Sequence, residues 1–254
     1  SSKVAQARDP QERGEIQHIA PVAQDLVVEL HDQGVGGNPL FGRQARQRVP
    51  DEVFHPEKIY HGILLNNMTL HNGTTRNTTR VTLSGKGADT NVCGMAIADK
   101  SQHVDNNTFI DHAVADCTSN ELFKYVLDDS AVGAFAGTIL VRPDAQRTSS
   151  QQTNRNLCVT RNARMYTQPQ LEIYADDVRC SHGATVGQLD ENALFYMRAR
   201  GIAEKEARLL LMFAFVNEVI DTVRLDALKD RLHLLVEKRF RGELNKCQGC
   251  AICK

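Results

Sequence analysis

Between about residue 62 and residue 188 the hydrophobic positions come in short pulses, not in helical stripes. Val92–Ala96, Thr108–Ile110, Phe123–Leu127, Thr138–Val141, Leu157–Val159 and Leu171–Tyr174 start about 15 residues apart, with one or two looser gaps. Between them lie segments that read as turns: Asp105-Asn106-Asn107, Asp128-Asp129-Ser130, Arg142-Pro143-Asp144, Thr153-Asn154-Arg155-Asn156 and Asp176-Asp177. Strands this short and this regularly spaced predict an all-β stack. A parallel solenoid fits best, because a single coil leaves its apolar face in water until the next coil covers it. A β-sandwich is the alternative.

The pattern differs on both sides of this region. Residues 1–60 are polar, with turn-rich patches such as Gly34-Val35-Gly36-Gly37-Asn38-Pro39. One apolar run there, Asp25–Leu30, reads as a strand. From residue 189 the pattern is helical. Asp190–Arg200 is predicted as a helix stopped by Gly201, Glu204–Val223 as a second with acids in its first turn, and Asp226–Phe240 as a third. In the third, Leu225, Leu228, Leu232, Leu235 and Val236 share one stripe. The centre of the second, Leu209–Val216, is apolar on nearly every face, so it needs cover on more than one side. The expected division is an unassigned segment over 1–60, a β solenoid over 61–188, and a helical domain with a cysteine-rich tail over 189–254.

Composition narrows the function classes. The 254 residues carry a formal charge of −1, without the basic surplus of a nucleic-acid binder. No run of apolar residues approaches a membrane span. The chain opens Ser1-Ser2-Lys3 without a Met, which reads as a fragment with a natural start upstream. The seven cysteines, an odd number without a recognisable secretory signal, are expected to be reduced thiols in a cytoplasmic protein. No phosphate loop is present: Ser84-Gly85-Lys86-Gly87 lacks the upstream glycine and the Ser or Thr after the lysine. No nucleotide is therefore expected to bind this chain.

Three groups have the composition for metal or thiol chemistry. Cys180 and His182 are two apart in Val178–Thr185, so on a strand they face the same way. Thiolate and imidazole both ligate iron–sulfur clusters or zinc, but two donors do not fill a four-coordinate site. From spacing alone the pair reads more readily as a buried Cys beside a surface His. Cys247, Cys250 and Cys253 form Cys-x-x-Cys-x-x-Cys, part of a ferredoxin-like run without its fourth ligand. This suits either a metal-binding tail or a plain terminal appendage. The run His103, Asp105, Asp111, His112, Asp116, Cys117 is dense in ligand types but reads as solvated turns.

Longer motifs resemble a known family. Pro169–Gly187 (PQLEIYADDVRCSHGATVG) and Asn192–Ile202 (NALFYMRARGI) are similar to the signature of the SufB/SufD family. Gln102–Thr108 and Gln152–Leu157 match as well, and the resemblance runs from about Thr69 to about Phe215. SufB-type chains place an acidic residue after the histidine of this signature. Here Gly183 follows His182, which points to the SufD type.

The resemblance implies a right-handed parallel β-helix followed by a small helical domain. It also implies a non-enzymatic scaffold in a complex with SufB and two copies of the ATPase SufC, on which an iron–sulfur cluster is built transiently. By resemblance His182 lies at the SufB–SufD interface as a cluster ligand, with Cys180 as a weaker one. SufC docking is expected on the helices, with Phe195, Arg198 and Arg200 as anchors and Phe213 and Phe215 as further contacts or core. A homodimer of the isolated chain is the other pairing left open. The competing functional reading is a stand-alone cluster binder working through the three terminal cysteines; a β-helix hydrolase or lyase lacks an acid/base constellation. Residues 1–60 and the cysteine tail do not match the family pattern, so no role carries over to them.

Overall fold

The computed structural model describes residues 6–7, 22–30, 62–70 and 73–243, with side chains from residue 65 onward. Eleven strands come first: β1 Gln6–Ala7, β2 Val22–Leu30, β3 Gly62–Thr69, β4 Thr74–Leu83, β5 Asp89–Ala98, β6 His103–His112, β7 Thr118–Leu127, β8 Val132–Val141, β9 Thr148–Cys158, β10 Arg164–Ile173 and β11 Val178–Gly187. From β2 onward successive strands alternate between two sheets, ordered β1-β2-β4-β6-β8-β10 and β11-β9-β7-β5-β3. Every pairing is parallel except that of β1 with β2. Thr74 pairs with His103, His103 with Val132, and Val132 with Arg164, so a coil takes about 30 residues. The architecture is the parallel solenoid expected from the pulses. Each pulse marks one strand, in its middle or at its C-terminal end, and two strands make one coil.

The corners repeat too. Gly87, Asp116 and Arg147 all have positive φ, as do Lys100 and Asp129 one coil apart. The Lys100 backbone N–H donates to Asp129 Oδ2 at 3.0 Å, tying one corner to the next. Asp116 holds Arg147 of the following coil in a two-pronged ion pair.

Two segments read as turns are strand interiors. Asp105-Asn106-Asn107 lies inside β6 and Thr153–Asn156 inside β9. Their alternate residues point inward and bond to one another. Asn77 Nδ2 donates to Asn106 Oδ1 at 2.8 Å, Asn106 Nδ2 to the Tyr125 hydroxyl at 2.5 Å, and Asn156 Nδ2 to Asn154 Oδ1 at 2.5 Å. Stacked coils satisfy inward amides that a single strand would leave unpaired. The interior is therefore polar at its N-terminal end. Towards the strand C-termini it is apolar, where Val81, Ile110, Ile139 and Tyr125 are fully buried.

The helices are α1 Glu191–Ala199, α2 Glu204–Asp221 and α3 Asp226–Phe240. Asp190 caps α1 by accepting from the N–H groups of Asn192 and Ala193, and Gly201 after it takes φ +86°. α2 lies against the outer face of the odd-strand sheet. Cys93, Met95, Ile97 and Val126 share a buried cluster with Met212, Val216, Val219, Ile220 and, from α3, Leu232 and Val236. Sheet on one side and α3 on the other explain why α2 is apolar all round. No helix among the described residues is long and apolar enough to cross a membrane.

Candidate functional site

β10 and β11 end their sheets among the described residues, so each has a ladder partner on one side only. Large side chains there face solvent: Tyr166 is 60% exposed, Tyr174 63% and Val186 52%. An open strand edge with exposed aromatic residues beside it is a template for pairing with another chain.

Register fixes where the two candidate ligands point. In β11, Cys180 pairs with Ser150 and His182 with Gln152 of β9. Ser150 and Gln152 are buried inside the coil, so Cys180 and His182 face the coil axis one rung further on. Cys180 is half-buried and packs against the core, and that burial raises its thiol pKa. His182 is exposed. The spacing of two puts both donors on one face at the open end of the stack.

Each donor stands on a polar ladder. Below His182 come Gln152 and then Glu121. Gln152 Nε2 donates to Glu121 Oε2 at 2.6 Å. Glu121 is fully buried, and desolvation pushes its carboxyl up to about 7. Below Cys180 come Ser150 and Ser119, whose hydroxyls are 2.7 Å apart, and Ser119 Oγ lies 2.9 Å from His112 Nε2. Burial holds His112 down at about 4, so its ring is neutral near pH 7. Sequence reasoning passed over Gln152, Glu121, Ser150 and Ser119. The signal was periodic: stepping back about 30 residues, one coil, from each donor lands on a polar residue.

The dense run from 103 to 117 does not assemble. Asp105 pairs with Arg76, Asp111 with Arg142, Asp116 with Lys86 and Arg147, and Cys117 Sγ donates to the Gly85 carbonyl. Among the described residues no three His, Cys, Asp or Glu side chains gather as a metal site. Cys247, Cys250 and Cys253 lie outside the described residues.

The five helical residues fall into two places. Phe195, 74% exposed, and the exposed Arg198 lie on α1, and the exposed Arg200 caps its C-terminus; Arg200 covers the Tyr196 ring at 4.4 Å and Arg198 pairs with Glu204 at 3.4 Å. Phe213 and Phe215 are half-buried in α2. Phe213 meets His233 of α3 edge-on at 5.5 Å, while Phe215 lies under the Lys124 ammonium at 4.7 Å. The first three form a free surface; the last two belong to internal seams.

The model of the SUF-system FeS cluster assembly SufBD core domain matches residues 62–215, strands β3 to β11 together with α1 and most of α2. The chain belongs to the SufBD family. Escherichia coli (strain K12) iron–sulfur cluster assembly protein SufD is 36% identical over 182 residues, 72% of this chain and 42% of that protein. An iron–sulfur cluster assembly SufBD family protein of Mycobacterium leprae is 35% identical over 178 residues, 67% of this chain and 45% of its own length. A chloroplastic Arabidopsis thaliana protein, ABCI7, is 36% identical over 128 residues. This SufBD chain thus spans less than half the length of the first two of these relatives. Its likeness to SufD agrees with the SufD-type glycine after His182.

Proposed function

We propose that this SufBD chain is a non-enzymatic, SufD-type scaffold of a cytoplasmic SufBCD complex. In this reading it pairs with SufB through the β10–β11 edge, docks the SufC ATPase on its helices, and offers His182 to a growing iron–sulfur cluster. The cluster is cargo, bound transiently, and this chain binds no nucleotide.

The observation that carries the reading is the position of His182. It is exposed, faces the coil axis, and lies on β11, which has no second ladder neighbour among the described residues. The donor set fits a shared cluster. One imidazole and one half-buried thiol are soft enough for iron, and too few to complete a cluster, so the remaining ligands would come from across the interface. On the helical side, Phe195, Arg198 and Arg200 supply the aromatic and guanidinium groups that commonly anchor protein interfaces.

Co-expression with SufB and SufC tests this. The expected result is a complex of all three from which iron and sulfide co-purify after anaerobic assembly. A chain that purifies free of both subunits would overturn it.

A further inference from the structure

Among the described residues, the ladder beneath His182 leaves two buried polar atoms without a partner, Glu121 Oε1 and Gln152 Oε1, and the second lies on the rung next to His182. Gln152 is 0% exposed, and its Oε1 has no hydrogen-bond partner among the described residues. Its other amide atom is committed: Nε2 donates to Glu121 Oε2 at 2.6 Å. Because the NH2 must face the carboxylate, Oε1 is turned away from it. The amide has little room to swing out. Gly137 of the facing sheet packs so closely that a Cβ there would lie 2.4 Å from Gln152 Nε2. One rung along the same inward ladder is His182, whose ring makes no hydrogen bond among the described residues. Adjacent rungs are about 4.8 Å apart, within reach of a Gln carbonyl and an imidazole N–H once the exposed ring rotates.

We propose that Gln152 is a positioning residue for His182: its Oε1 accepts one ring N–H, which fixes the tautomer and leaves the other nitrogen directed at the cluster. This rests on the reading of His182 as a ligand. A buried carbonyl without a partner is costly, and an exposed imidazole reorients at little cost, so both groups gain by closing the contact. Ligating histidines are generally oriented this way, by donating the second ring N–H to a carbonyl or carboxylate. Glu121 is the third member: it holds the amide in the orientation that presents oxygen, not NH2, to the ring.

The test is 15N NMR of the His182 ring in the full chain at pH 8, where Glu121 is ionised. The expected result is a single neutral tautomer in the wild type and a mixture resembling free imidazole in Gln152→Met. A mixture already present in the wild type overturns the proposal. So does a single tautomer that persists in folded Gln152→Met. A second measurement covers the case in which that variant fails to fold. His182→Phe keeps a ring at an exposed position but has no N–H, and it should shift the Gln152 side-chain carbonyl carbon; an unmoved resonance contradicts the proposal. In the assembled complex, loss of the positioning contact should weaken metal binding by about 10–100-fold. The two readings fail separately. A mixed tautomer with assembly abolished by His182→Ala removes the positioning role alone, whereas a fixed tautomer with undiminished assembly removes the ligand role alone.

Discussion

Arg239 of α3 sets both terminal nitrogens on the Asp99 carboxylate, at 2.6 and 2.9 Å, at the corner where the chain leaves β5. The guanidinium is almost fully buried and also donates to Gln102 Oε1 at 3.0 Å. Thr222 bonds to Asn66, and Lys124 donates to the Phe215 carbonyl and pairs with Glu218 at 2.5 Å. With the shared apolar cluster, these contacts make the helices part of the solenoid's outer wall, so a partner docked on the helices is mechanically linked to the coil stack.

Arg239→Ala should therefore loosen the helices from the stack. Removing one partner of a buried pair costs about 3–5 kcal/mol, and the partial exposure of Asp99 places this pair at the lower end. Arg239 holds the Asp99 carboxyl below its usual value. A group whose pKa falls on folding contributes stability above its unfolded value, and that stability is lost as pH falls through the acid range. Urea denaturation at pH 7 and pH 3 should show a smaller gap between wild type and variant at pH 3.

Glu121 should give the opposite pH dependence. Its carboxyl is raised from an ordinary 4.5 to about 7, so the folded chain binds more protons than the unfolded chain between those values. Its contribution to stability is greatest at acid pH and falls as pH rises towards 7, by an amount on the order of a few kcal/mol. His112, lowered from 6.5 to about 4, works the other way: its contribution is lost as pH falls from 6.5 to 4. Glu121→Gln should flatten the loss of stability towards neutral pH and be more stable than wild type at pH 8. An unchanged pH profile would contradict the buried, neutralised carboxyl.

Gly94 tests the packing between coils. A Cβ at this position would lie 2.2 Å from the Phe123 ring one rung away, and Phe123 is itself wedged against Phe135 at a ring separation of 5.0 Å. Gly94→Ala should cost about 1–3 kcal/mol or more in thermal or urea denaturation. Gly187→Ala, with nothing within 4 Å of the added atom, should change little.

The stack of short strands and the three helices were legible because they rest on apolar periodicity. Val92–Ala96 or Thr138–Val141 signals a strand whatever it packs against. The polar half of the interior was not legible. Asn106, Asn154 and Asn156 are turn-formers in a local reading, and become strand residues only when neighbouring coils supply partners: Asn77 for Asn106, the Phe123 carbonyl for Asn154 and the Thr185 carbonyl for Asn156. The same applies to the site. Cys180 and His182 stand out by their spacing, while Gln152 and Glu121 acquire meaning only through the coil-to-coil register.

On α1, Phe195→Ala with Arg198→Ala should abolish capture of SufC in a pull-down while leaving the fold intact, since both side chains are exposed. Phe213→Ala should instead lower stability, because its ring packs into the seam with α3.

If the His182 imidazole at the open end of the stack serves a cluster shared with another subunit, losing the ring should empty the site without breaking the assembly. The decisive experiment is anaerobic iron–sulfur assembly on a complex with SufB and SufC, carrying either wild-type chain or His182→Ala. The expected result is an intact variant complex that retains little iron and sulfide. Wild-type iron and sulfide content in that variant complex would contradict it.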